Sequence, residues 1–435
     1  MTFGRCCAVL LCGVLLWAVS GCDDPSTVGV GVGPDSLQGG TPVTLDVGAT
    51  SQRIVADPSP TGNGGSAPAW RMLVGTVDDP LTGPIAANAY VDLRTPVAIP
   101  DTILNAPPES LRVELDLEPS YIHGDTTSTV TLAVYAVDDE MDIAGATSDQ
   151  TFPATPIRDA NGQALTASFS AGRDSLITIP LPQRWVADNI EVLTDTTDGG
   201  RAFADAFHGF RLEARSGNAI VGFTRSSTTL EIQRTEGVLS SQFGALKQFT
   251  HVERTGEKPS LDGRRVAVDG LGEAFAFSFD FDAPPLDTLS GAFVNRASII
   301  APVDTTAWAE MRPTDFVRPR GTFGFRTVAR LSDTLNAACG DAGVPALSDS
   351  TCAIPMVSQA IPSAALTDLN VSLRVFRQSL LSGPLFSEYQ IEIAAEQNTQ
   401  NTLSLGLPST LPVVFHRPSP TSIDSTRATL TVTPQ

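Results

Sequence analysis

The chain has 435 residues and carries 28 basic and 48 acidic side chains, which gives a formal charge of −20 at pH 7. This charge excludes a nucleic-acid binder and predicts that a charged partner is either cationic or bridged by a divalent ion. With 36 glycines, 32 prolines and only 17% charged residues, the composition favours an all-β chain with many turns.

The first segment is typical of an export signal. One positive charge, Arg5, precedes an apolar run over 8–19 that is too short to span a membrane. The run ends in VSGC, residues 19–22, which resembles the lipobox of bacterial lipoproteins, where the cysteine thiol is acylated after cleavage. We therefore predict a signal peptide over 1–21 and lipidation of Cys22; an ordinary signal cleaved elsewhere is the alternative. The two aspartates that follow leave open whether the anchor stays in the inner membrane or is displayed on the outer one.

Residues 22–45 are rich in Gly, Ser and Pro, and we expect them to form a flexible tether. After the tether, apolar side chains recur at every second position, which predicts β-strands with one buried face. The clearest runs are SLRVELDL near 111–117, TVTLAVYAV near 129–137, LITIPL near 176–181, FRLEA near 210–214, AIVGF at 219–223 and TTLEIQ at 228–233. Such strands predict two antiparallel sheets packed around one core.

The second half of the chain repeats this order of patterns, with offsets of about 183 to 194 residues for the first three. VNRASII, TFGFRTVARL, NVSLRVF, NTLSLGL, VVFHRP and RATLTV follow one another as the first six patterns do. The repeat predicts two tandem antiparallel β-sandwich domains, over 46–240 and 241–435.

Two cysteines, Cys339 and Cys352, remain outside the signal and the lipidation site, with 12 residues between them. An even pair in an exported protein favours a disulfide that closes this loop. A metal site is the alternative, but structural zinc requires four ligands and no histidine lies near the pair in sequence.

The first unit is similar to the DNRLRE modules of carbohydrate-active and cell-surface proteins, through SLRVELDL, LAVYAV, IPLPQRWVAD, FHGFRLEA and TTLEIQ. The whole chain also resembles a family of uncharacterised outer-membrane lipoproteins, through the lipobox, MLVGTVDDPLTGPIAANAYVDL and FVNRASIIAPV. The first resemblance implies jelly-roll domains and a carbohydrate-binding role. The second implies an outer-membrane location, on the periplasmic or external face.

Aspartate clusters are the candidate metal sites, because calcium prefers six to eight oxygen ligands from carboxylates and loop carbonyls. Asp138, Asp139 and Asp142 follow the LAVYAV strand, whereas Asp280 and Asp282 lie opposite an apolar stripe that begins at Phe275. No EF-hand spacing is present, and solvated acidic surface is the alternative at each cluster. We therefore treat calcium as a candidate ion and expect no required cofactor.

No motif for hydrolysis or phosphate binding occurs, and His123, His208, His251 and His416 lack triad or metal spacing. Trp70, Trp185 and Trp308 are candidates for stacking on sugars or for packing in a core. The sequence thus predicts a non-catalytic, lipid-anchored envelope protein that binds a glycan. The alternative is a structural or accessory subunit of an outer-membrane protein assembly.

Overall fold

The computed structural model describes residues 42–56, 71–96, 98–143, 149–235, 240–280, 282–289, 293–318, 322–331, 346–348, 351–362, 368–372, 386–396, 410–416 and 425–433. For the strands between 322 and 396, only the backbone is described. The chain is built mainly of β-strands, as the sequence predicts. The predicted signal, lipidation site and most of the tether lie outside the described residues, as does Cys339.

The first group of strands forms an 11-stranded antiparallel sheet. Its members are β3 (Arg71–Asp79), β4 (Gly83–Leu93), β5 (Leu111–Asp125), β6 (Thr129–Val137), β7 (Ala154–Pro156), β8 (Thr166–Ser170), β9 (Ile177–Pro180), β10 (Phe210–Ser216), β11 (Ala219–Arg234), β12 (Ser240–Arg254) and β16 (Phe316–Val317).

The second group forms three further sheets, whose strand orders are β1-β23-β15-β20, β18-β19-β17-β21-β14-β2 and β13-β22. Their members are β1 (Val43–Gly48), β2 (Ser51–Ala56), β13 (Arg265–Val268), β14 (Glu273–Ser278), β15 (Phe293–Pro302), β17 (Thr322–Leu331), β18 (Ala346–Ser348), β19 (Thr351–Pro362), β20 (Asp368–Ser372), β21 (Phe386–Glu396), β22 (Pro412–Phe415) and β23 (Arg427–Thr433).

Helices are few and short in the described part of the chain. They are α1 (Asp101–Leu104), α2 (Gln183–Thr194), α3 (Arg201–Ala206) and α4 (Thr306–Glu310), with 3-10 turns at Pro108–Ser110, Thr197–Gly200, Asp269–Leu271 and Leu286–Leu289. Helix α2 was not predicted; its tryptophan, Trp185, is partly buried and packs against Phe207 and Phe210. None of the helices among the described residues has both the length and the apolar character needed to cross a membrane.

Strand pairing repeats between the two groups. In the first, β5 pairs with β9 and β11; in the second, β15 pairs with β20 and β23. Likewise β10 lies between β6 and β4, as β21 lies between β17 and β14. The position of β10 is therefore occupied by β21; the predicted segment NTLSLGL lies outside the described residues.

The first strands of each half are exchanged. Strand β1 pairs with β23, and β2 pairs with β14, so that residues 43–56 complete the second group of sheets. Strand β12 makes the equivalent pairs in the first group, with β11 through 240–244 and with β4 through 245–254. Pairing therefore does not follow the predicted division at residue 240, because each half contributes its first strands to the other half.

A hydrophobic core shared by both halves reinforces this exchange. Leu73, Val77 and Ile85 from the first half pack in one cluster with Phe316 and Val414 from the second. Since apolar burial is the main favourable term in folding, this cluster binds the two halves into one structure.

Two glycines allow strands to close tightly over the start of β11. Gly75 has φ of 139° and Gly124 has φ of 126°, a region that side chains rarely adopt. A Cβ at either position would collide with the backbone, at Ala219 for Gly75 and at Asn218 for Gly124. These glycines hold β3 and β5 on either side of β11, which places Asp79 and His123 near one another.

Candidate functional site

A buried polar network connects the two halves. Asp79 ends β3, and His123 lies near the end of β5. Arg318 directly follows β16, and Thr410 lies two positions before Pro412, the first residue of β22. The register of β16 on β5 pairs Val317 with Gly124, which brings Arg318 beside His123. Asp79, His123 and Thr410 have no exposed surface, and Arg318 is 9% exposed.

Asp79 is the centre of this network. Its Oδ2 accepts hydrogen bonds from Nε2 of His123 and Nε of Arg318, each at 2.8 Å, and its Oδ1 accepts one from Nη2 of Arg318 at 2.8 Å. The guanidinium also donates to the carbonyl oxygens of Trp308 at 2.6 Å and Met311 at 3.0 Å. The paired fork of an arginine on a carboxylate is among the strongest polar contacts in proteins.

These contacts decide the ionisation of Asp79. Burial alone would raise the pKa of its carboxyl, because a charge is poorly solvated in the interior. Hydrogen bonds from Arg318 and His123, together with the positive charge of Arg318, outweigh burial and hold the pKa of Asp79 well below its usual range. The carboxylate is therefore ionised at every pH at which the protein is expected to work.

Thr410 extends the network from His123 to Tyr121. The Thr410 amide donates to the Tyr121 hydroxyl at 3.0 Å, and the two hydroxyl oxygens are also 3.0 Å apart. Oγ1 of Thr410 lies 2.7 Å from Nδ1 of His123. Every group has a partner if Tyr121 donates to Thr410, Thr410 donates to Nδ1, and Nε2 of His123 carries the proton that Asp79 accepts.

The order hydroxyl, imidazole, carboxylate is that of hydrolase triads. Here, however, Thr410, His123 and Asp79 are fully buried, so no substrate carbonyl can approach the hydroxyl. The network therefore joins the two halves instead of performing chemistry in this structure. Sequence reasoning treated His123 as isolated, because its partners lie far away along the chain and only the folded strands bring them together.

An accessible charged cleft lies where β2, β12 and β14 meet. Its volume is about 670 Å³, within the range of small-ligand sites. Six polar residues line it, Asp149, His251, Glu253, Arg254, Lys258 and Glu273. None of these residues except His251 had been singled out from the sequence, since isolated charges on an acidic chain carry no signal.

Glu273 organises the cations of this cleft. Its Oε1 accepts hydrogen bonds from Nη2 of Arg254 at 2.8 Å and Nζ of Lys258 at 3.1 Å, while the Val268 amide donates to Oε2 at 3.1 Å. Lys258 also donates to the carbonyl oxygen of Val266 at 2.6 Å. One carboxylate thus fixes the positions of two cations in the cleft wall.

His251 is the most buried of the polar lining residues. It is 9% exposed, and its Nε2 lies 3.7 Å from a carboxylate oxygen of Glu253. Its Nδ1 is buried and has no hydrogen-bond partner among the described residues. Nη1 of Arg254 is unpaired in the same way. Unpaired buried polar atoms are uncommon in folded proteins. In this cleft, the His251 and Arg254 side chains each have a nitrogen that forms no hydrogen bond with a described residue.

A smaller cleft adjoins the first and shares Ile54 and Lys258 with it. Its volume is about 350 Å³, and it lies between β2 and the segment 258–266. Gln52, which is 9% exposed, lines it and has a buried Oε1 without a described partner.

The predicted calcium ligands lie elsewhere. Asp138, Asp139 and Asp142 are exposed on the segment after β6, and Asp280 and Asp282 are exposed after β14, where the Asp282 amide donates to Asp280 at 3.0 Å. In the part of the chain that the structure describes, no group of three or more His, Cys, Asp or Glu side chains is placed to hold a metal ion. The calcium sites therefore stay predictions.

Other predicted residues can be placed only in part. Trp308 is partly buried and donates to the carbonyl oxygen of Pro412 at 3.1 Å, so it packs between the halves. Trp70 lies outside the described residues, as do Cys22 and Cys339. Cys352 lies on β19, where only the backbone is described, so the disulfide stays a prediction.

Comparison with protein-family models found no match, and comparison with curated proteins found no significant one. The likeness to DNRLRE modules and to outer-membrane lipoproteins therefore stays an expectation from the sequence motifs. What the chain does has to be argued from its own geometry.

Proposed function

We propose that this protein is a lipid-anchored component of the bacterial cell envelope that binds a glycan without catalysing a reaction. Cys22 carries the anchor, the location is the periplasmic or external face of the outer membrane, and the strands form two tandem jelly-roll sandwiches with exchanged first strands. The repeated pairing order supports this arrangement of sandwiches.

The observation that carries the binding function is the charged cleft at β2, β12 and β14. Its volume of about 670 Å³ suits a sugar residue or a short oligosaccharide. His251, Glu253 and Arg254 supply both donors and acceptors, which the many hydroxyl groups of a sugar require. The triad-like arrangement of Thr410, His123 and Asp79 is closed from solvent, and this supports a role in binding over a role in catalysis.

A glycan panel tests this proposal. The full-length chain, purified in detergent, is titrated with neutral and acidic oligosaccharides, first with calcium and then with a chelator. Saturable binding that is weakened by Glu253→Gln, but not by Glu118→Gln on the distant strand β5, is the expected result. Absence of binding across the panel would exclude the glycan function. Loss of glycan binding on addition of the chelator would indicate that binding requires calcium, for which the predicted aspartate clusters are the candidate sites.

A structural or accessory subunit of an envelope assembly is the second candidate. The edge strand β1 favours it, because most of its side chains are exposed and its outer edge has no described neighbour. Such an edge can pair with a strand of another protein. Crosslinking in cells should then trap one stoichiometric partner, whereas recovery of the monomer alone would count against this candidate.

A further inference from the structure

Cations line the smaller cleft, although the whole chain carries a formal charge of −20. Arg53, Lys258, Arg264 and Arg265 contribute to its wall. The described residues that line this cleft include no carboxylate. A local excess of positive charge on an acidic protein is therefore possible only if nearby acids do not neutralise these side chains.

Acids outside the cleft wall pair with two of the cations, but only Arg264 is fully balanced. Arg264 donates from Nε to Asp304 at 2.7 Å and lies 3.3 Å from Glu310. Lys258 is paired with Glu273, but it shares that single carboxylate with Arg254. Arg254 and Lys258 together thus retain one uncompensated positive charge.

Arg265 adds a second uncompensated positive charge. Its hydrogen bonds to described residues go to main-chain carbonyl oxygens, from Nε to Gln52 at 3.4 Å and from Nη1 to Gly263 at 3.0 Å. These bonds orient the guanidinium without neutralising it. A guanidinium that is held by backbone groups is prepared to receive an oxyanion, because its planar fork matches two oxygen atoms of a carboxylate or phosphate.

Burial has the largest effect on the ionisation of Lys258, and the charged groups around it act in opposite directions. Burial lowers the pKa of its ammonium, and repulsion from Arg254 and Arg265 lowers it further, against the opposing effect of Glu273. An anion placed among these groups would relieve the repulsion that they exert on one another.

We infer that this basic cleft, formed by residues 52–54 and 258–266, binds the oxyanion of an acidic saccharide. The inference rests on the proposed glycan-binding function and adds the charge class of the ligand. Arg265 and Lys258 hold the anionic group, while the adjoining larger cleft receives the rest of the sugar. The net charge of the chain predicted cationic partners; this cleft is a local exception to that prediction.

A pair of polymers with the same backbone tests the charge requirement. Polygalacturonate and its fully methyl-esterified form are titrated onto the full-length chain, and inorganic phosphate is titrated separately. The acid form should bind and the ester should not. Arg265→Gln should weaken binding at least about tenfold, as expected for loss of a charge-assisted hydrogen bond. Arg184→Gln is the matched control, because that side chain is 93% exposed on α2, away from the cleft.

Ser260 provides a second probe that leaves the cationic side chains in place. It is exposed and lines the cleft, so Ser260→Glu should abolish binding of the acid polymer, whereas Ser260→Gln, of similar size, should not. Unchanged thermal unfolding shows that each variant folds. If Arg265→Gln fails to fold, the Ser260 variants carry the test, and if the Ser260 variants fail to fold, Arg265→Gln carries it.

The outcomes separate the two proposals. Equal binding of acid and ester forms would overturn the anionic preference and leave glycan binding intact. Binding of phosphate that depends on Arg265, without binding of either polymer, would support the oxyanion site and exclude the saccharide. Binding of no probe would overturn the oxyanion site, whereas the glycan function is excluded only if the oligosaccharide panel also shows no binding.

Discussion

At the scale of single residues, Asp79 lies fully out of solvent and accepts hydrogen bonds from side chains of both halves. Arg318 reaches it from a strand segment more than two hundred residues later in the chain. A buried ion pair stabilises little when compared with an apolar replacement, but removal of one partner leaves the other charge uncompensated. The network is therefore best examined by changing one member at a time.

Asp79→Asn should lower the free energy of unfolding by about 3 to 5 kcal/mol, because Arg318 would remain charged and buried beside a neutral amide. Urea unfolding measures this change. Asp78→Asn is the matched control, since Asp78 adjoins Asp79 in the chain and is exposed. Similar stability of the two variants would show that the Asp79–Arg318 pair does not hold the halves together.

Stability should also depend on pH through Asp79. Its pKa is lower in the folded protein than in the unfolded chain, where it is about 3.9. The carboxylate therefore contributes stability above that value, and the contribution is lost as the pH falls from about 5 toward the folded pKa.

The pH series compares the wild type with Asp79→Asn by urea unfolding. The difference between their free energies of unfolding should be constant at neutral pH and should shrink in acid. A difference that grew as the pH fell would contradict the assigned direction of the pKa shift.

At the scale of elements, periodicity predicted strands well where one face is buried. Leu111, Val113, Leu115 and Leu117 of β5 are all buried, as their alternation indicated. Helix α2 was missed, although Val186 and Leu193 recur at a helical spacing, because the alternating ITIPL segment immediately precedes it.

Alternation identifies which face of a strand is buried but not which strand lies beside it. The sequence repeat therefore predicted the order of strands, and could not show that 43–56 and 240–254 change places. The same reason hid the polar network, whose members at 79, 123, 318 and 410 share no local pattern. Cavities such as the charged cleft arise from that pairing and were equally beyond prediction.

The segment with β1 and β2 should be separable from the rest. It buries little apolar surface: among its side chains with described burial, Val47 is the one buried apolar residue, and the segment is held mainly by backbone pairing. A chain that begins at residue 57 should unfold at lower temperature than one that begins at residue 42, because β14 and β23 each lose one of their paired strands.

Addition of a synthetic peptide of residues 42–56 should restore part of that loss, since a ligand that binds only the folded state stabilises it. Calorimetry with and without the peptide makes the measurement. A scrambled peptide of the same composition is the control. Identical unfolding of the two chains would show that the exchanged strands contribute nothing.

At the scale of the whole molecule, the excess of acid dominates. Only two of the 28 basic residues are lysines, and most of the acidic residues are aspartates. This composition indicates either an environment of high salt or a GC-rich genome, in which arginine codons are favoured over lysine codons. Repulsion among exposed carboxylates opposes the compact state, and salt screens it.

If surface repulsion matters, the unfolding temperature at pH 7 should rise between 10 mM and 500 mM NaCl. The rise should largely disappear near pH 4.5, the isoelectric point of the chain, because the net charge is then close to zero. Equal gains at both pH values would point instead to a general effect of salt on apolar burial.

The pairing of Val43 with Val432 also determines when the protein can finish folding. A ribosome adds roughly 5 to 20 residues per second, so β1 leaves it about 20 to 80 s before its neighbour β23 exists. During synthesis β1 has no partner until β23, the last of the described strands, has been made. The second group of sheets can therefore be completed only after β23 has been made, so that the pairing of β1 is a late event in synthesis and folding.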